Sequence, residues 1–388
     1  MKVHEMNEGL ISSSSMDGAK KRFAPIPSPP RLPRYIPSLD GLRAVSIGLV
    51  FLAHVGGTAE VPAFLARLER IGNLGVKVFF VISGFLITTL LLKEHAQAGR
   101  ISLKNFYLRR TVRIFPAFYA YIFVSVLLYL FGVVLLKQND ILYAVTYTMN
   151  YHDERAWQLN HLWSLAVEEQ FYLVWPLLLC ALGPRRALIC AAAAVLIAPT
   201  CRALMWYSFD ASPTALTRRF QAVADALATG CLLAGFYNRL GEVRWYVQLL
   251  ASRLFLFVPG TVLLVGLATA AHSRGLYYVV GQSICNFAIV ICLHRYVLFP
   301  GTLGGRILNS RPLVFVGILS YSLYLWQEPF LIPMDVEPSY GKFATSFPQN
   351  VVFAIGAALA SYYLVEKQFL KLKPGPGRPR TEQVPSPE

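Results

Sequence analysis

The feature that most constrains this chain is the recurrence of apolar blocks about 20 residues long, separated by short polar stretches. A helix rises about 1.5 Å per residue, so a block of that length crosses a hydrocarbon layer of about 30 Å. Hydrophobic residues make up 55% of 388 and charged residues only 15%, with a mean hydropathy of +0.48. An ordinary soluble chain carries about 25% charged residues. Lipid offers the backbone no hydrogen bonds, so each crossing must satisfy its own. The chain therefore reads as all-α, a polytopic integral membrane protein with about ten transmembrane helices. They are expected near 41–58, 72–92, 114–136, 162–182, 186–206, 218–238, 252–271, 276–298, 312–333 and 347–368.

The ends differ from this pattern. Residues 1–35 ("ISSSS", "APIPSPPRLP") and 371–388 ("KLKPGPGRPRTEQVPSPE") have the composition of disordered tails, flanking one transmembrane domain at 36–370. The first apolar block begins too far along the chain for a cleavable signal peptide. An even number of spans places both tails on one side, and Lys and Arg crowd that side's loops. Both termini are therefore expected in the cytoplasm, and the net charge of +15 is mostly a topological signal rather than a nucleic-acid footprint. The six cysteines form no CxxC pair, so no metal site or disulfide framework is indicated.

Ionisable residues inside apolar spans cost free energy and are functional candidates by default. His54 lies about 20 Å along the first span from its cytoplasmic start, in the outer half of the membrane. An imidazole there can exchange a proton with a hydroxyl near neutral pH, or simply hydrogen-bond a neighbouring helix. Glu168 and Glu169 enter from the opposite side, with Glu168 at a depth similar to His54. Neighbours on a helix point about 100° apart, so the two glutamates are not expected to face one small site together. One carboxylate could orient or charge-stabilise an imidazole. Alternatively both could serve helix packing or meet Lys77, which shares the outer half. Arg110 and Arg113, three apart in "NFYLRRTVRIFPAF", share a helix face at the inner end. They could grip phosphate oxygens as a fork or anchor the helix on anionic lipid. A phosphate fork at one end and a His/Glu centre most of the way across suit a donor with a phosphorylated head and a long arm, the shape of a coenzyme A thioester.

Four blocks then carry a resemblance: "IPSLDGLRAVSIGLVFLAHVGG", "GNLGVKVFFVISGFLITTLLLKE", "NFYLRRTVRIFPAF" and "HLWSLAVEEQFYLVWPLL". Weaker echoes follow in "ADALATGCLLAG", "FVGILSYSLYLWQEPF" and "ASYYLVEKQFL". In this order they resemble the acyltransferase 3 family of integral-membrane acyltransferases. The resemblance implies His54 and Glu168 as catalytic residues and Arg110, Arg113, Arg43 and Asp40 as the acyl-CoA binding set. It leaves Glu169, Lys77 and Asp225 as substrate-side candidates. It implies an acyl-CoA, expectedly acetyl-CoA, as donor substrate, with no permanently bound cofactor. The expected acceptor is a hydroxyl of a cell-surface carbohydrate or lipid-linked sugar, at the bacterial inner membrane. Two departures stand out. Lys77 occupies a position that is acidic in many members, and Gln327 replaces a frequent histidine. Acylation of a small, macrolide-like molecule and transport of a polar metabolite or lipid-linked sugar are the alternatives.

Overall fold

The computed structural model describes residues 35–68, 72–261, 264–265, 274–336 and 341–372. Among them every regular element is helical, apart from a lone bridge between Thr58 and Pro333. The main helices are α1 (Pro37–Gly56), α2 (Gly72–Ala98), α3 (Leu103–Leu130), α4 (Leu162–Tyr207), α5 (Phe220–Glu242), α6 (Gln282–Leu298), α7 (Arg311–Trp326) and α8 (Gln349–Ser361). A wider turn at Tyr362–Glu366 carries α8 on to Leu370. Among the described residues, six helical stretches are long and apolar enough to cross a membrane: α1, α2, α3, Trp157–Tyr207, Pro213–Glu242 and Tyr277–Leu298. Helix α7 is apolar but shorter. The expected span at 252–271 is described only at 252–261 and 264–265, and nearly all of both tails lie outside the described residues.

Two of the expected spans fall within α4, and Gly183 separates them. Its φ of 74° and ψ of 166° break the helix, and Pro184 follows with no amide hydrogen to continue the ladder. Neighbours show a reversal. Trp163 shares a cavity wall with Val223 near the start of α5, Leu188 packs on Gly235 near its end, and Arg202 returns to Ala222 and Asp225. The first leg thus runs parallel to α5 and the second antiparallel to it.

Lipid supplies no hydrophobic drive between helices, so close association depends on backbones that can approach. A Cβ on Gly84 of α2 would overlap the carbonyl of Leu227, and one on Gly230 of α5 would overlap that of Val81. Helix α7 approaches α1 in the same way, with Gly317 against the Asp40 carbonyl, while Gly41 of α1 faces Leu308 in the short helical turn that precedes α7. Bulky apolar side chains such as Phe123, Leu173, Ile189 and Leu196 are left exposed on the outside, as a lipid-facing surface requires. Helix α1 runs antiparallel to α2, because Gly75 packs on Ser46 and Val50 while Gly72 meets Ala53. His54, near the end of α1, therefore lies at the end of the bundle where α2 begins. The arginines at the start of α3 lie at the other.

Candidate active site

Helix α3 begins at Leu103, eleven residues before the expected span, and Ser102 caps it by accepting the Asn105 amide hydrogen at 3.4 Å. The helix therefore carries Arg109, Arg110 and Arg113 into the bundle. Arg109 turns aside to Glu94, at 3.5 Å. Arg110 and Arg113 instead line a cavity of about 90 Å³ together with Arg43, Ser83, Glu168, Glu169 and Tyr172. The Arg110 guanidinium lies 4.6 Å above the Tyr172 ring, a geometry that suits a planar cation and fixes its direction. Asp40 holds Arg43 at 2.9 Å and is itself held by the Tyr35 hydroxyl at 2.8 Å. Three guanidiniums thus converge on the cavity, Arg43 already paired with Asp40, and Arg110 and Arg113 present the donors that an anionic group can use.

Both glutamates line this one cavity, contrary to the expectation from their 100° offset. The cavity is broad enough to receive neighbouring positions on α4. Glu168 accepts hydrogen bonds from Ser83 Oγ and from the Tyr172 hydroxyl, each at 2.9 Å. These partners keep it among the arginines. The carboxylate at His54 is a different one.

That carboxylate is Glu328, fully buried just beyond the end of α7, with Oε1 3.9 Å from His54 Nε2. Its Oε2 accepts from the backbone amide and from Nδ1 of His161, at 2.9 and 2.8 Å. Asn160 donates to Oε1 at 3.3 Å, and Trp157 donates to the Glu328 carbonyl at 3.0 Å. Trp157 also meets the His54 ring edge-on, with centroids 5.6 Å apart. Arg218 anchors the Asn160 side-chain oxygen at 2.7 Å. Glu328 thus lies between two imidazoles and cannot drift. Among the described residues, His54 Nδ1 and His161 Nε2 are buried without hydrogen-bond partners. The His54 side chain keeps 22% of its surface accessible, and it is the member of this group that an acceptor can reach.

His54 itself does not line the arginine cavity. The connection runs through Ser164 and Tyr324, which line the cavity's wall and whose hydroxyls meet at 2.5 Å. The Tyr324 hydroxyl also donates to the His161 carbonyl at 3.1 Å. One layer of side chains therefore separates the cavity from the His161–Glu328–His54 group.

The matching family model, described as an acyltransferase domain, covers residues 36–367. The chain belongs to the acyltransferase 3 family. It is similar to the O-acetyltransferase OatA of Staphylococcus aureus (strain NCTC 8325 / PS 47), with 30% identity over 326 residues, 77% of this chain and 51% of that protein. A putative O-acetyltransferase of S. aureus strain COL is 31% identical over 323 residues, covering 76% of this chain and 50% of its own. The chain spans about half the length of these curated relatives. No solved structure matches it.

Within this acyltransferase 3 chain, Lys77 and Asp225 occupy a third place. Asp225 is buried and held bidentately by Arg202, at 3.2 and 3.0 Å, with Ser283 Oγ donating at 2.6 Å. Its carboxylate is thereby committed to a structural ion pair. Lys77 meets neither glutamate; its Nζ lies 5.3 Å from the Tyr277 ring centre. Sequence reasoning passed over Glu328, His161 and Arg202. Glu328 carried the same signal as Glu168, a carboxylate in an apolar run ("LYLWQEPF"), and the rule that selected one selects the other. Gln327 donates to the Tyr324 carbonyl at 3.5 Å, while the second imidazole at Glu328 is His161, just before α4.

Proposed function

We propose that this protein is a membrane O-acyltransferase that moves an acyl group, most simply acetyl, from acyl-CoA to a hydroxyl of a cell-envelope carbohydrate or lipid-linked sugar. The observation that carries this reading is an arginine-lined cavity that ends one side-chain layer from a histidine held on a buried glutamate. The relatives named as O-acetyltransferases support the acyl group. The Lys and Arg distribution supports a ten-span bundle with both termini in the cytoplasm of a bacterium, the arginine end facing the donor pool.

Arg43, Arg110 and Arg113 bind the CoA phosphates, and the pantetheine arm runs along the cavity toward Ser164 and Tyr324. His54 Nε2 takes the acceptor's hydroxyl proton while the oxygen attacks the thioester carbonyl. The tetrahedral intermediate collapses, the C–S bond breaks, and the proton returns to the departing CoA thiolate. Glu328 stabilises the transient imidazolium, and His161 and Asn160 hold Glu328 in place. Glu168 and Glu169 act on the donor side, ordering the arginines around the ligand.

The test is transfer of label from acyl-CoA into envelope carbohydrate in membranes, comparing wild type with His54→Ala. Loss of transfer to background is expected. Undiminished transfer would overturn the role of His54.

A further inference from the structure

Beside the arginine cavity lies a second, smaller chamber, and its charges do not balance. It is walled by Asn73, Lys77, Trp163, Asp225, Tyr277 and Asn286 among others, and measures about 10 Å³, room for roughly one water. Asp225 brings a negative charge, but the Arg202 guanidinium cancels it through two hydrogen bonds. Lys77 has no such partner. It is 92% buried and makes no ion pair or hydrogen bond among the described residues, and its ammonium lies over the Tyr277 ring. Asn286 is 1% exposed, and its Oδ1 is buried without a partner. A buried ammonium without a counter-ion and an amide with an open oxygen are costly in a membrane interior, where such groups are ordinarily paired.

The chamber also stands next to the chemistry. Val76 and Phe80 line both it and the arginine cavity. Trp163 closes it on another side, and over the Trp163 ring lies Arg218, 5.7 Å away. Arg218 leads through Asn160 to Glu328 and so to His54. A group seated against Lys77 would therefore share walls with the arginine cavity and, through Trp163 and Arg218, a contact path to Glu328 and His54.

We propose that this chamber receives a carboxylate of the acyl acceptor, so that the enzyme selects acidic carbohydrates through Lys77. The inference rests on the acyl-transfer reading given above. A carboxylate fits better than a phosphate on two counts. The unbalanced charge is a single one, and the space admits one carboxylate oxygen in the place of one water rather than the three outer oxygens of a phosphate. The Lys77 ammonium pairs with one carboxylate oxygen. A water or a neighbouring sugar hydroxyl donates to Asn286 Oδ1, the acceptor left open there. The acceptor hydroxyl on the same ring then points past Trp163 toward His54. Lys77 is a specificity-determining residue in this arrangement and takes no part in the proton transfers.

The experiment compares matched acceptors in membranes supplied with labelled acetyl-CoA: a neutral oligosaccharide, the same sugar oxidised at C6 to the uronate, the methyl ester of that uronate, and the 6-phosphate. The wild type is expected to favour the uronate over the neutral sugar and the ester by at least about tenfold in kcat/KM. Lys77→Met is expected to bring the ratio within about twofold of unity, and Lys77→Arg to keep most of it. A wild type without the preference, a Lys77→Met protein that retains it, or a preference for the phosphate would overturn the proposal. A second readout uses purified protein without donor, where the uronate but not its ester should raise the thermal midpoint in wild type and not in Lys77→Met. Lys77-dependent binding without transfer would defeat the acyl-transfer reading and leave the carboxylate site standing. Transfer without discrimination would do the reverse. Neither binding nor transfer would defeat both.

Discussion

The replacement Glu328→Gln tests the centre of the mechanism, because it alters charge with almost no change of shape. Glu328 Oε1 lies 3.9 Å from His54 Nε2; Glu328 is buried and His54 is partly so. At that separation and an effective dielectric of about 20, opposite unit charges attract by about 4 kcal/mol. The attraction exists only while the imidazole holds the acceptor's proton, so its loss raises the barrier rather than weakening binding. A residual amide dipole recovers part of it. The expected result is a fall in kcat of about 100- to 1,000-fold, with the acyl-CoA KM nearly unchanged. The amide oxygen can still accept from the His161 amide and Nδ1, so the fold should survive, and a thermal melt in detergent checks this. The matched control is Glu168→Gln. That carboxylate is bound to Ser83 and Tyr172 among the arginines, and its loss should act on the acyl-CoA KM. The assay is transfer from labelled acetyl-CoA at varied donor concentration. A Glu328→Gln protein within about threefold of wild-type kcat, beside a Glu168→Gln protein that loses turnover, would refute the pairing.

Arg110→Lys should raise the acyl-CoA KM nearly as much as Arg110→Ala, about tenfold or more, since an ammonium cannot stack on Tyr172 as a planar fork does; donor titration measures it. Gly84→Val should lower stability by about 3 kcal/mol or more, because the added atoms meet the Leu227 carbonyl rather than a movable side chain; thermal unfolding in detergent reads the loss. Arg202→Met alone strands the buried Asp225 carboxylate and should cost about 3–5 kcal/mol, whereas Arg202→Met with Asp225→Leu should recover much of it, as a comparison of thermal midpoints will show.

The membrane class and the candidate histidine were legible in the linear chain because both depend on local quantities. Twenty apolar residues must cross a bilayer wherever they occur, and an imidazole in such a block is conspicuous without neighbours. The turn between the fourth and fifth expected spans was legible too, since Gly183 and Pro184 mark it by backbone chemistry alone. The arginine fork was readable from a spacing of three on one helix. Helix α3 makes that spacing real by beginning eleven residues before the apolar block.

Partners were not legible. Depth along a helix axis suggested Glu168 for His54, but depth is one coordinate, and a contact also requires rotation and neighbouring in the plane of the membrane. The close approach of α1 and α7 at Gly317 brings Glu328 to His54, although the two residues are 274 positions apart. Likewise Arg202 cancels Asp225 and leaves Lys77 uncompensated only because the second leg of α4 folds back along α5. The sequence by itself determined that this chain lives in a membrane and that it carries ionisable groups there at a cost. Tertiary structure decided which of those charges neutralise one another and which stand without an ion-pair partner among the described residues, because in lipid the energy of a charge depends on what stands within a few ångströms of it.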